Sequence, residues 1–265
     1  AEYLLDTGRI ANYPEYTPTV YKLNSDVDDK IISKISSLTK ELLGVARITK
    51  LRLTNDQKKL GVTEKQTLDR ILKSQRGMSE YNVWKMLNSS FAALYEHLRG
   101  TEKLEENFSW ISGKENSNYA KGVINKLKNM EIPKWEFSEE FKLDKIVPKW
   151  LINEDEYLRV RNNEINIYET ILDLGNQLSE SRLNSKIDCI TNSIRGGNKT
   201  LVFDTSNITL LYIQKRLLEM DIETHTFIGS TKGSKIKKVS DAEKLFGINS
   251  DDLPRVGLLS DMMSE

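Results

Sequence analysis

Cysteine is nearly absent. Cys189 stands alone among 265 residues, which excludes an internal disulfide framework and suits a reducing cytoplasm. It lies beside the apolar stripe Leu183, Ile187, Ile190 and Ile194, so a buried thiol is expected rather than a nucleophile. Histidine is almost as scarce, with His97 and His225 only, and His97 reads as a surface residue just off an apolar stripe. With no second His, Cys or acidic cluster at ligand spacing, no metal site is expected. No apolar run approaches the roughly 20 residues a membrane span needs. The start, Ala1-Glu-Tyr-Leu-Leu-Asp6, has no basic region of the kind a secretory signal carries. Net charge is absent as well: 39 basic residues balance 39 acidic ones, so only the distribution of charge bears on nucleic-acid binding.

That distribution is uneven. Residues 45–76 hold nine basic residues against three acidic ones, including Arg47, Lys50 and Arg52. Such clustering suits a phosphate-contacting surface, which gains affinity by releasing counterions. It also suits a solvated helical face whose long side chains cover apolar surface.

Hydrophobic spacing predicts a series of helices. Ser25 opens one whose apolar face is Val27, Ile31, Ile35, Leu38 and Leu42, with Gly44 as its stop. Gly77 is expected to break the chain before a second helix over 79–98, which carries Trp84, Leu87, Phe91, Leu94 and Leu98. Residues 116–130 read as a short helix. Trp135, Phe137, Phe141 and Trp150 read as core or interface anchors, because the lysines around them are offset by acids. A long helix over 154–177 is marked by Leu158, Ile165, Tyr168, Leu172 and Leu178, and another follows over 182–194.

The pattern changes in the last quarter. Three β-rich runs, Thr200–Asp204, Glu223–Ile228 and Arg255–Ser260, alternate with helical patterns over 207–220 and 234–246. Alternation of this kind signals a parallel sheet with crossover helices. Each run ends in small polar residues, and ligands of open parallel sheets bind at those ends. The fold expected is therefore α/β: residues 1–180 mainly helical, residues 181–265 a partial parallel-sheet domain. Two glycine-rich stretches fail as nucleotide loops. Gly196-Gly-Asn-Lys-Thr200 leads from a helix into a strand, the wrong order, and Gly229-Ser-Thr-Lys-Gly-Ser-Lys235 has the wrong spacing.

The order of the polar edges resembles the second RecA-like domain of superfamily-two helicases and translocases, of the Snf type or a related bacterial kind. Thr200-Leu-Val-Phe-Asp-Thr-Ser206 is similar to motif IV, and Val256-Gly-Leu-Leu-Ser-Asp-Met-Met-Ser-Glu265 to the first half of motif V. Phe227-Ile-Gly-Ser-Thr231 is similar to the segment between them, and Leu87-Asn-Ser-Ser-Phe-Ala-Ala-Leu94 to a helix found between the two motor domains. The resemblance implies that Thr205, Ser206, Gly229, Ser230, Thr231 and Ser260 contact a DNA or RNA backbone. It implies that Asp261, Ser264 and Glu265 relay nucleotide state, with Phe203 as core packing. ATP and Mg²⁺ would be bound by an upstream RecA-like domain of the same parent, so this chain is expected to carry no catalytic residue and no bound nucleotide. The other reading is a non-catalytic helical interaction module fused to a small Rossmann-like domain.

Overall fold

A computed structural model describes residues 26–48, 64–108, 120–131, 147–227, 244–247, 253 and 255–260. Helices dominate. Helix α1 (Asp26–Thr39) buries Ile31 and Ile35, whereas Val27, expected on the same stripe, is 68% exposed. Leu42 is buried beyond its end, and Gly44, at φ +76, turns the chain into a 3₁₀ turn over Val45–Arg47.

Helix α2 (Glu64–Ser89) runs through Gly77 without interruption, contrary to the expected break there. A mid-helix glycine costs only about 1 kcal/mol, which flanking packing overcomes. The real break falls at Ser90. This residue is extended (φ −166, ψ 165) and its hydroxyl accepts from Ala93 N at 3.1 Å, opening α3 (Phe91–Arg99) as an N-cap. Two short helices follow, α4 (Thr101–Asn107) and α5 (Val123–Lys128), and α6 (Lys149–Ile152) then leads into α7.

Helix α7 (Glu154–Gly175) begins at Asn153, whose side chain accepts from Glu156 N at 2.9 Å; Glu154, Asp155 and Glu156 in its first turn complement the helix dipole. Its buried face is centred on Tyr157, Glu164, Ile167, Tyr168 and Ile171, with Leu158 and Ile165 of the expected stripe only half-buried. One apolar cluster joins α1, α2, α3, α5 and α7 through Ile35, Val83, Leu94, Leu98, Ile124 and Ile171. Trp150 packs beside it and stacks on Tyr157.

A buried charge holds part of this core together. Glu164 is 2% exposed, and its Oε2 accepts from the backbone N–H groups of Leu43 (3.0 Å), Gly44 (3.0 Å) and Val45 (3.3 Å). A carboxylate there satisfies three donors that the chain reversal after α1 leaves without helical partners.

Helix α8 (Ser181–Arg195) leads into the sheet. Strands β1 (Lys199–Asp204), β2 (Thr224–Phe227) and β3 (Arg255–Ser260) are parallel, in the order β1-β3-β2, and α9 (Asn207–Leu218) connects β1 to β2. The three runs expected to form parallel strands do so. Val202, Val256 and Leu258 pack against α8 and α9, with Ile187, Ile190, Leu210, Ile213 and Leu217 opposite. Central β3 is covered on both faces, which is why Val256–Ser260 reads as a nearly unbroken apolar run. Gly257 lets Leu201 and Phe246 close over that strand: an added Cβ would stand 2.8 Å from Leu201 and 2.9 Å from Phe246.

Two expectations fail in this half. Phe203 is 51% exposed rather than core: β1 is an edge strand, and α8 and α9 cover its other face, where Val202 packs. Cys189 is exposed: Ile187 and Ile190 take the inward positions of α8, and Asp188 and Cys189 between them face solvent. No helix among the described residues is long and apolar enough to cross a membrane.

Candidate nucleic-acid interface

The polar end of β1 meets the break between α2 and α3. Asp204 Oδ1 accepts from Ser206 N at 2.9 Å, a local turn that fixes the carboxylate, and also accepts from the Ser89 hydroxyl. Ser89 Oγ and Ser90 Oγ each lie 2.7 Å from Thr209 Oγ1 on the first turn of α9. Ser206, the N-cap of α9, receives Thr209 N at 3.4 Å. Lys186 of α8 completes the cluster, donating to Ser89 O at 2.7 Å and Asn88 O at 3.1 Å, with Asp204 Oδ2 3.7 Å away. Those carbonyls belong to the last turn of α2, where a cation is favourably placed. Burial holds the Lys186 ammonium below its ordinary pKa, and Arg182 adds to that while Asp204 opposes it. Beneath the cluster Ala92, Leu104 and Ile208 form a small apolar junction between α3, α4 and α9.

The expected site residues are distributed unevenly around this seam. Ser260 sits directly across the sheet from Asp204 and is buried, and Ser206 is buried in its capping role. Thr205 alone among the described strand-end candidates is exposed. Arg47 is exposed too, but its Nε donates to Gln75 at 3.3 Å; the 14 residues of α2 from Gln75 to Ser89 put it about 20 Å from the seam. The structure therefore does not bring Arg47 to the strand ends. Lys65, Arg70, Lys73 and Arg76 face solvent along α2. Lys50, Arg52, Gly229, Ser230, Thr231, Asp261, Ser264 and Glu265 lie outside the described residues.

Outside the seam lies an open groove of about 640 Å³. The last turns of α2 supply one wall through Tyr81, Trp84, Lys85 and Asn88; Phe203, Asp204 and Thr205 supply the other, with Ser89 at the floor. Tyr81 is 55% exposed. The sequence reading missed Tyr81 and Lys85. Their spacing with Trp84 and Asn88, three or four residues apart, was a visible signal of one helix face. What they face came only from the fold. Lys186 was also missed, as an ordinary polar position on an amphipathic helix.

Among the described residues no group of three or more His, Cys, Asp or Glu side chains is arranged to hold a metal ion. His97 is half-buried rather than a surface group, and burial, with the nearby Arg47 guanidinium, pulls its pKa down to about 4. No family model, curated protein or solved structure matches this chain.

Proposed function

We propose that this chain contributes nucleic-acid backbone contacts to an ATP-driven helicase or translocase of superfamily two. In this reading it supplies a helical region and part of the C-terminal RecA-like domain. The observation that carries the reading is the register of β1 and β3. Asp204 lies opposite Ser260, so the motif IV-like and motif V-like strands are neighbours, with their polar ends at one edge of a parallel sheet. The Leu87–Leu94 stretch, a third element of the resemblance, supports it by bonding to that same edge through Ser89.

ATP and Mg²⁺ do not fit the described residues. Asp204, the carboxylate at the described strand ends, is already bonded to Ser89 and the Ser206 N–H and lies beside Lys186, and among the described residues no phosphate-cradling loop adjoins it. Nucleotide chemistry in this reading belongs to another RecA-like domain. Thr205, an exposed residue just before α9, is the backbone contact, and Arg47, Lys50 and Arg52 add a second, electrostatic one.

The test is fluorescence anisotropy with labelled single strands and duplexes over a series of salt concentrations. Binding that weakens steeply with salt is expected. Reversing the charges of Arg47, Lys50 and Arg52 together should flatten the log–log slope by about 2 to 3. Thr205→Glu should weaken binding of every sequence alike. Absence of binding to either form at low salt sinks the reading. So does ATP turnover by the chain alone that nucleic acid stimulates and Asp261→Ala abolishes, since the catalytic machinery would then lie here.

A further inference from the structure

We propose that the groove between the end of α2 and the end of β1 is a stacking site for the unpaired bases of a single strand. The inference rests on the nucleic-acid reading above and deepens it by naming the form of the substrate. Tyr81 and Phe203 are each more than half exposed on opposing walls, and the half-buried Trp84 lies between them and the apolar core. Large aromatic faces left in water on two different elements, turned into one cleft, offer what a base needs. Every base has an apolar face, and stacking it on an aromatic ring removes both surfaces from solvent. A duplex has no such face to offer, because its bases are stacked on one another.

The polar groups of the groove fit the rest of a strand. Lys85 brings a cation to the groove's lining, half-buried on the α2 side, where a phosphate would meet it. The acid in the groove is held elsewhere: Asp204 turns its oxygens to Ser89, the Ser206 N–H and Lys186, which spares a phosphate most of its repulsion. Asn88 and Thr205 add neutral donors and acceptors at the rim. The Ser89–Asp204 and Ser89–Thr209 bonds tie the end of α2 to the end of β1 at the floor of the groove. A preformed cleft of this kind spares the ordering cost of binding.

The test compares a labelled polythymidylate of about 12 nucleotides, within the span one such module covers, with a duplex of equal length. The whole chain and its Tyr81→Ala, Phe203→Ala, Tyr81→Phe and Lys85→Ala variants are measured, with circular dichroism to verify folding. The single strand should bind more tightly than the duplex. Tyr81→Ala and Phe203→Ala should each weaken it about tenfold while leaving duplex binding unchanged, and Tyr81→Phe should restore it, since the ring and not the hydroxyl stacks. Lys85→Ala should lower the salt slope by about 1. Equal affinity for both forms, with the alanine variants unaffected, overturns the stacking site and leaves the backbone-contact reading standing. Loss of all nucleic-acid binding from the unmodified chain overturns both. If Phe203→Ala instead converts a self-associated chain into a monomer without changing strand affinity, the groove is a protein interface and the inference fails.

Discussion

Ser89 and Thr209 hold their hydroxyl oxygens 2.7 Å apart across 120 residues of chain. Each belongs to a helix end, Ser89 closing α2 and Thr209 standing in the first turn of α9, and both are buried. A hydroxyl removed from water needs a partner, and here Ser89, Ser90, Thr209 and Asp204 satisfy one another. The helical part and the sheet are joined here through polar groups that bond to one another.

This joint should behave as one unit in mutagenesis. Ser89→Ala and Thr209→Val are each expected to cost about 1 to 2 kcal/mol, because each leaves buried partners short of a bond. The double variant should cost less than the sum, with a coupling of about 0.5 to 2 kcal/mol, since the second change removes an already broken contact. Urea unfolding midpoints of the four proteins measure this; strict additivity would show that the hydroxyls act separately.

Glu164 separates hydrogen bonding from charge. Burial raises its pKa, and the N–H groups of Val45, Leu43, Gly44 and Ala46 only partly offset that. Glu164→Ala should destabilise by about 3 kcal/mol, leaving three backbone donors unpaired and a void in the core. Glu164→Gln keeps an acceptor oxygen but sets an amide NH2 at the buried, unpartnered Oε1 position, so it should cost about 1 to 2 kcal/mol, less than Glu164→Ala. Thermal unfolding at neutral pH distinguishes the two, and equal losses would mean the charge itself is required.

His97 should make the fold acid-sensitive. Its pKa of about 4 in the folded chain lies below the ordinary value of 6.5. Between those values the unfolded chain takes up a proton that the folded chain does not, so stability falls as pH drops from 6.5 towards 4. The expected loss is about 2 kcal/mol, less than the full shift because the ring is only partly buried. Urea titrations at pH 7 and 4.5 should show a smaller pH dependence in His97→Gln than in the parent. An unchanged difference would assign the sensitivity to other groups.

Two glycines should respond in opposite directions. Gly44 sits at φ +76, and an added Cβ would lie 2.5 Å from Gln75 O, so Gly44→Ala should cost at least about 2 kcal/mol. Gly77 lies inside α2 with nothing within 4 Å of an added Cβ, and Gly77→Ala should stabilise by about 0.5 to 1 kcal/mol. Melting temperatures of the two variants on either side of the parent would bear this out; a destabilised Gly77→Ala would point to a helix that needs its weak point.

Local pattern determined much of this protein. The apolar spacing of Leu183, Ile187, Ile190 and Ile194 specifies the inner face of α8, and the alternation of β-rich and helical runs after residue 199 specifies parallel strands. Both depend on interactions within a few residues, which spacing encodes directly. Tertiary structure decided the rest. Glu164 is charged and so does not look like a core residue; its burial follows from backbone donors some 120 residues away. The resemblance implied a core role for Phe203, yet an edge strand buries only the face that another element covers, and α8 and α9 cover the other one. Gly77 reads as a break and Ser89 as a residue inside a helix over 79–98, but the helix runs past the first, and the second ends it and is captured by the end of β1. Spacing along a chain states which residues share a face. What that face meets is set by contacts between distant segments, whose free energy no local pattern records.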